Sequence, residues 1–77
     1  MNIKVLGSGC SRCKQAFQVV DKVVRDSRLD AQVEYVDDIM QVMLYDVLST
    51  PAVVVDGQVR MAGSVPSEKQ VRELLGL

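Results

Sequence analysis

Gly7-Ser8-Gly9-Cys10-Ser11-Arg12-Cys13-Lys14 stands between two different hydrophobic patterns. Before it, Asn2 to Leu6 has the length of a short strand, and Gly7, Ser8 and Gly9 close it with turn formers. After it, Cys13, Ala16, Phe17, Val20 and Val24 recur at helical spacing, with Lys14, Gln18, Asp21, Lys22 and Arg25 mostly between them. The stretch is thus a strand-to-helix turn with two cysteines three positions apart at the head of a helix predicted over about Ser11 to Ser27. The valines at 19, 20, 23 and 24 are weak helix formers. Packing must hold this helix, with slight support from the opposed charges of Asp21 and Arg25.

Outward from the turn the same alternation continues. Ala31 to Val36 is a second strand. Asp38, with Gln41 three residues on, is an N-cap signature for a short helix whose apolar face is Ile39, Met40, Met43, Leu44 and Val47. Met40 and Met43 are expected there as core filler, and Asp37-Asp38 as a cap and solvated turn. Ala52 to Val55 is apolar without alternation, as in a strand covered on both faces. Asp56-Gly57 is a two-residue hairpin signal, returning the chain through Gln58 to Ala62 as an edge strand on which Arg60 can block wrong pairing. Gly63 to Pro66 is a loop, and Ser67 with Gln70 caps a last helix to about Leu75. The order βαβαββα with a parallel crossover predicts an α/β domain over residues 1–77, a four-stranded mixed sheet with helices on both faces.

Whole-chain properties narrow the chemistry. The 77 residues are 48% apolar, enough for one thin core. A formal net charge of −1 offers no basic excess to a nucleic acid. No run approaches the roughly 18 apolar residues of a membrane span, and the N-terminus lacks the apolar core of a signal peptide. A cytoplasmic protein, monomeric and without a membrane partner, is expected. With no histidine, imidazole bases and ligands are excluded. A disulfide between residues three apart closes too small a loop to be a useful staple. In a reducing compartment such a pair is catalytic or metal-binding.

A redox dithiol needs one exposed, acidified thiol and a second thiol a helical turn away. Unpaired N–H groups and the positive dipole end of a helix N-terminus stabilise a thiolate at Cys10, and Arg12 and Lys14 add positive charge. The expected result is a Cys10 pKa lowered from about 8.5 to roughly 5–7.5. Cys10 would attack a disulfide, and Cys13 on the inward helix face would resolve the mixed disulfide. Two other readings stay open: a soft-metal module holding Cu(I) through Cys10 and Cys13, and an adaptor with an incidental dithiol. Small copper carriers place methionine two positions before the first cysteine, where Ser8 stands, and follow βαββαβ order.

A second signal is Ser49-Thr50-Pro51 opening the buried strand. Proline lacks the N–H a ladder uses, so the bond before it is either a cis turn or an ordinary trans bond at a strand's first residue.

These two motifs together carry a resemblance. The chain resembles small thioredoxin-fold, glutaredoxin-like proteins, and within them the redox-active disulfide protein 2 family. That family shares Gly-x-Gly-Cys-x-x-Cys-Lys (Gly7 to Lys14 here), the Ser-Thr-Pro-Ala segment leading to Val-x-Asp-Gly (Ser49 to Gly57) and the closing loop Gly63-Ser64-Val65-Pro66-Ser67. The resemblance implies a thiol–disulfide oxidoreductase or electron donor whose only redox group is the Cys10–Cys13 pair, with no further cofactor; no resident metal is expected, because two thiolates without a histidine or a nearby acid make an incomplete zinc site. It implies a cis Pro51 against the dithiol, Thr50 offering backbone hydrogen bonds to an extended substrate, and Gly63 and Ser64 as the neighbouring wall. Its partners would be a protein disulfide and a dithiol reductase. The chain departs from the pattern in places. Ser11 stands where many relatives have proline, Lys4 where thioredoxin has a buried acid, and Ala62-Gly63-Ser64 where glutaredoxins have Gly-Gly-x-Asp. Tyr45 is expected to pack with its hydroxyl at the surface, away from the dithiol.

Overall fold

A computed structural model describes every residue except Ser8, Cys10 and Leu48. Its elements follow the predicted order: β1 (Asn2–Leu6), α1 (Ser11–Asp26), β2 (Gln32–Val36), α2 (Ile39–Leu44), β3 (Ala52–Val55), β4 (Gln58–Ala62) and α3 (Glu68–Leu74). The sheet order is β2-β1-β3-β4. β1 pairs parallel with β2 and antiparallel with β3, and β3 pairs antiparallel with β4.

The central strands β1 and β3 bury side chains on both faces. Alternation sends Ile3, Val5 and Val53 to one face, where they meet Ala16, Val20, Val23 and Val24 of α1 and Val71 and Leu75 from the α3 end. Leu6, Ala52 and Val54 point the other way and form a smaller cluster with Val36, flanked by Val42, Tyr45 and Val47. The continuous Ala52–Val55 run therefore reflects cover on both sides, as expected. α1 is held by its apolar face, and α3 lies beside it, joined at the surface by Lys22–Glu68 at 3.3 Å. Ser67 and Gln70 complete a reciprocal capping box at the head of α3.

The hairpin forms at Asp56-Gly57, both residues taking the positive φ that a type I′ turn requires. β4 is the exposed edge. Its register jumps from Val53↔Met61 to Val54↔Val59, which leaves Arg60 as the extra residue of a bulge. A bulge and an exposed cation both discourage pairing with another chain.

α2 departs from the sequence-based expectation. It is only six residues long, and none of them is buried. Of the predicted apolar face, Ile39, Met40, Met43 and Leu44 are 69%, 70%, 65% and 81% exposed. Met40 and Met43 are not core filler. Val47, the remaining member of the predicted face, does pack against the sheet, and Val42 and Tyr45 join it there. Val42 and Tyr45 are three apart and so share one face, and that face sets the helix rotation. Asp38 caps α2 by accepting from the Met40 N–H at 3.0 Å.

These contrasts give measurable stabilities. Ile3→Ala is expected to cost roughly 2–5 kcal/mol, the usual result for a truncated core residue. Met43→Ala is expected to stay within about 0.5 kcal/mol of the parent, as exposed sites do. Ser67→Ala should cost about 1 kcal/mol through the lost cap. Urea titrations of the three variants check all three values.

Candidate functional site

The strand-to-helix turn begins where β1 runs out. Gly7 continues the strand's direction, donating its N–H to Val36 O at 2.9 Å, and it is buried. A Cβ at this position would lie 2.5 Å from Cys13 Cβ, 2.9 Å from Cys13 Sγ and 2.7 Å from Tyr35 Oη. Only a residue without a side chain lets α1 and β2 close on this backbone. Gly9 then donates its N–H to Tyr35 Oη at 3.0 Å.

Cys10 and Ser8 lie outside the described residues, so the expected nucleophile is placed by sequence alone, one residue before α1 opens at Ser11. Cys13 is fully buried on the inward side of α1, along with Ala16 and Val20. That is the shielded position expected of a resolving thiol. Arg12, on the exposed side, sends its Nη2 to Gly63 O at 3.2 Å. Lys14 is also exposed and borders a shallow hollow with Phe17, Gln18 and Tyr35.

The Thr50–Pro51 bond is cis, and Pro51 is buried. Pro51 O accepts the Gly63 N–H at 2.9 Å. A Cβ on Gly63 would sit 2.8 Å from Ser49 Oγ, so this approach too depends on a missing side chain. Two hydrogen bonds through one glycine thus connect the first turn of α1, the loop after β4 and the start of β3. Thr50 is half-buried and, with Gly7, Asp37, Ile39 and Val42, lines a hollow of about 170 Å³. Ser64 is exposed on the Gly63 loop.

The expected groups therefore gather at one end of the sheet: Cys13 and Arg12 from α1, Thr50 and Pro51 from the start of β3, and Gly63 from the opposite loop. Tyr45 lies elsewhere, half-buried on the α2 side with its hydroxyl accepting from Lys4 Nζ at 3.4 Å. Lys4 therefore serves the α2 face of the sheet. Tyr35 was not anticipated from sequence. The signal for it was the parallel register, which sets Tyr35 opposite Val5 and so one step from the end of β1. Among the described residues, no group of three or more His, Cys, Asp or Glu side chains could hold a metal ion.

Comparison with known proteins matches residues 1–76 to the thioredoxin domain. A thioredoxin of Methanocaldococcus jannaschii is 32% identical over 95% of this chain and 84% of its own length. A thioredoxin of Methanothermobacter thermautotrophicus is 25% identical over 97% of both. The match runs through the sheet, the cysteine turn and the cis proline alike, and the chain belongs to the thioredoxin family as a small thioredoxin-like redox protein.

Proposed function

We propose that this protein is a cytoplasmic thiol–disulfide oxidoreductase that reduces or exchanges protein disulfides through Cys10 and Cys13. It acts as a monomer, needs no cofactor beyond that pair and is re-reduced by a dithiol partner. The observation that carries this reading is the complete burial of Cys13 in the first turn of α1, with the cis Pro51 loop tied to the same turn through Gly63.

The reaction follows from that asymmetry. Cys10 as thiolate attacks one sulfur of a substrate disulfide, and the other substrate sulfur leaves with the electron pair and takes a proton. Cys13 then attacks Cys10 Sγ, the second substrate thiol departs, and the protein is left with a Cys10–Cys13 disulfide. Two electrons have passed to the substrate. Burial suits Cys13 to this second, intramolecular step, because outside disulfides cannot reach it. Thr50 and Pro51 supply the edge along which an extended substrate segment aligns, and Gly63 and Ser64 supply the facing wall. Arg12 and Lys14 place positive charge near the thiolate, with Arg12 also tying the wall to α1.

In an insulin or aryl disulfide reduction assay, Cys10→Ser should abolish turnover. Cys13→Ser should stall as a mixed disulfide visible by mass spectrometry. Iodoacetamide at about pH 6.5, where only an acidified thiol reacts fast, should label Cys10 well ahead of Cys13. Arg12→Glu should slow that labelling, and the effect should shrink in high salt because Arg12 is exposed. Equal labelling of both cysteines, or stoichiometric metal retained against a chelator with no disulfide reduction, would overturn the reading.

A further inference from the structure

Tyr35 faces α1 from β2, on the side of the sheet that carries the larger core. Its ring meets Phe17 edge to face, with centroids 5.8 Å apart and planes at 77°. That contact fixes where the phenol oxygen lies. The oxygen accepts the Gly9 N–H at 3.0 Å. It also flanks the bare Cα of Gly7 together with Cys13 Sγ: a side chain started there would be 2.7 Å from the one and 2.9 Å from the other. The hydroxyl and the buried sulfur are therefore neighbours across Gly7.

A phenol has one proton to donate and lone pairs with which to accept. Accepting from Gly9 engages a lone pair, and donation is the hydroxyl's other capacity. Cys13 must carry negative charge while it attacks Cys10 Sγ, and burial raises the cost of that charge. A donor held beside it answers this need, and hydrogen bonds to charged acceptors are the stronger kind. Lys4, at the position where the resemblance expects a buried acid, is turned to Tyr45 on the α2 side of the sheet.

We propose that Tyr35 is a positioning residue of the dithiol: its hydroxyl holds the Gly9 turn and donates a hydrogen bond to the Cys13 sulfur during the resolving step. This rests on the oxidoreductase reading above. In that step Cys13 Sγ bonds to Cys10 Sγ and the bond from Cys10 Sγ to the substrate sulfur breaks. The proton lost by Cys13 balances the one gained by the departing thiol. Tyr35 keeps its proton throughout.

The test is Tyr35→Phe in the full chain, which keeps the ring on Phe17 and removes only the hydroxyl. Circular dichroism and the urea midpoint establish that the variant folds. The probe is 5,5′-dithiobis(2-nitrobenzoate) added to the reduced protein. The first release of its coloured thiol reports attack by Cys10, and the second reports resolution by Cys13, with Cys13→Ser marking the first release alone. The expected result is a second phase slowed by about tenfold, the size of one lost hydrogen bond to a charged group, and a first phase slowed much less. A second phase within about twofold of the parent, or equal slowing of both phases, overturns the proposal. A parent protein whose first release survives Cys10→Ser, or which gives no second release, overturns the oxidoreductase reading itself and this proposal with it.

Discussion

α1 lies on the two central strands through Ala16, Val20 and Val23, all fully buried against Ile3, Val5 and Val53. The rest of the molecule depends on this contact. The helix is rich in β-branched residues that disfavour it in isolation, so burial is what makes it a helix at all. The same face, extended one turn back toward the N-terminus, brings Cys13 down onto Gly7. The packing that stabilises α1 is thereby also what separates a shielded thiol from the residues around it on the surface.

The sheet order brings distant segments to that point. β1 is central, so its C-terminal end lies between the end of β2 on one side and the start of β3 on the other. Tyr35 comes from the first of these and Pro51 from the second. β4, antiparallel to β3, returns the chain so that Gly63 arrives beside Pro51, and the Gly63 N–H to Pro51 O bond closes the arrangement. Arg12 then ties this loop to the helix. Each contact is a single hydrogen bond of modest net worth. Their common consequence is geometric: groups more than 50 positions apart in sequence, such as Arg12 and Gly63, are held within hydrogen-bonding distance.

The two faces of the sheet are unequal. One carries α1 and α3 with nine buried apolar residues, and the other carries six-residue α2 over a cluster of four. A helix that short contacts the sheet through Val42 and little more of its own length. This is why periodicity misjudged it. Ile39, Met40, Met43 and Leu44 make a consistent apolar stripe in sequence, and a stripe indicates a buried face only when there is a surface to cover.

The sequence by itself determined the element order, the position of the dithiol at a helix start, the hairpin at Asp56-Gly57 and the cap at Ser67, because each rests on interactions within a few residues of itself. It also carried the likeness from which a cis Pro51 followed. Only the tertiary structure decided the rotation of α2, the turning of Lys4 toward Tyr45, and the place of Tyr35 beside Gly9 and Cys13. Those depend on strand register and on which surfaces meet. Tyr35 and Gly9 are 26 residues apart, and no local pattern encodes a contact made only when two strands and a helix have already been brought together.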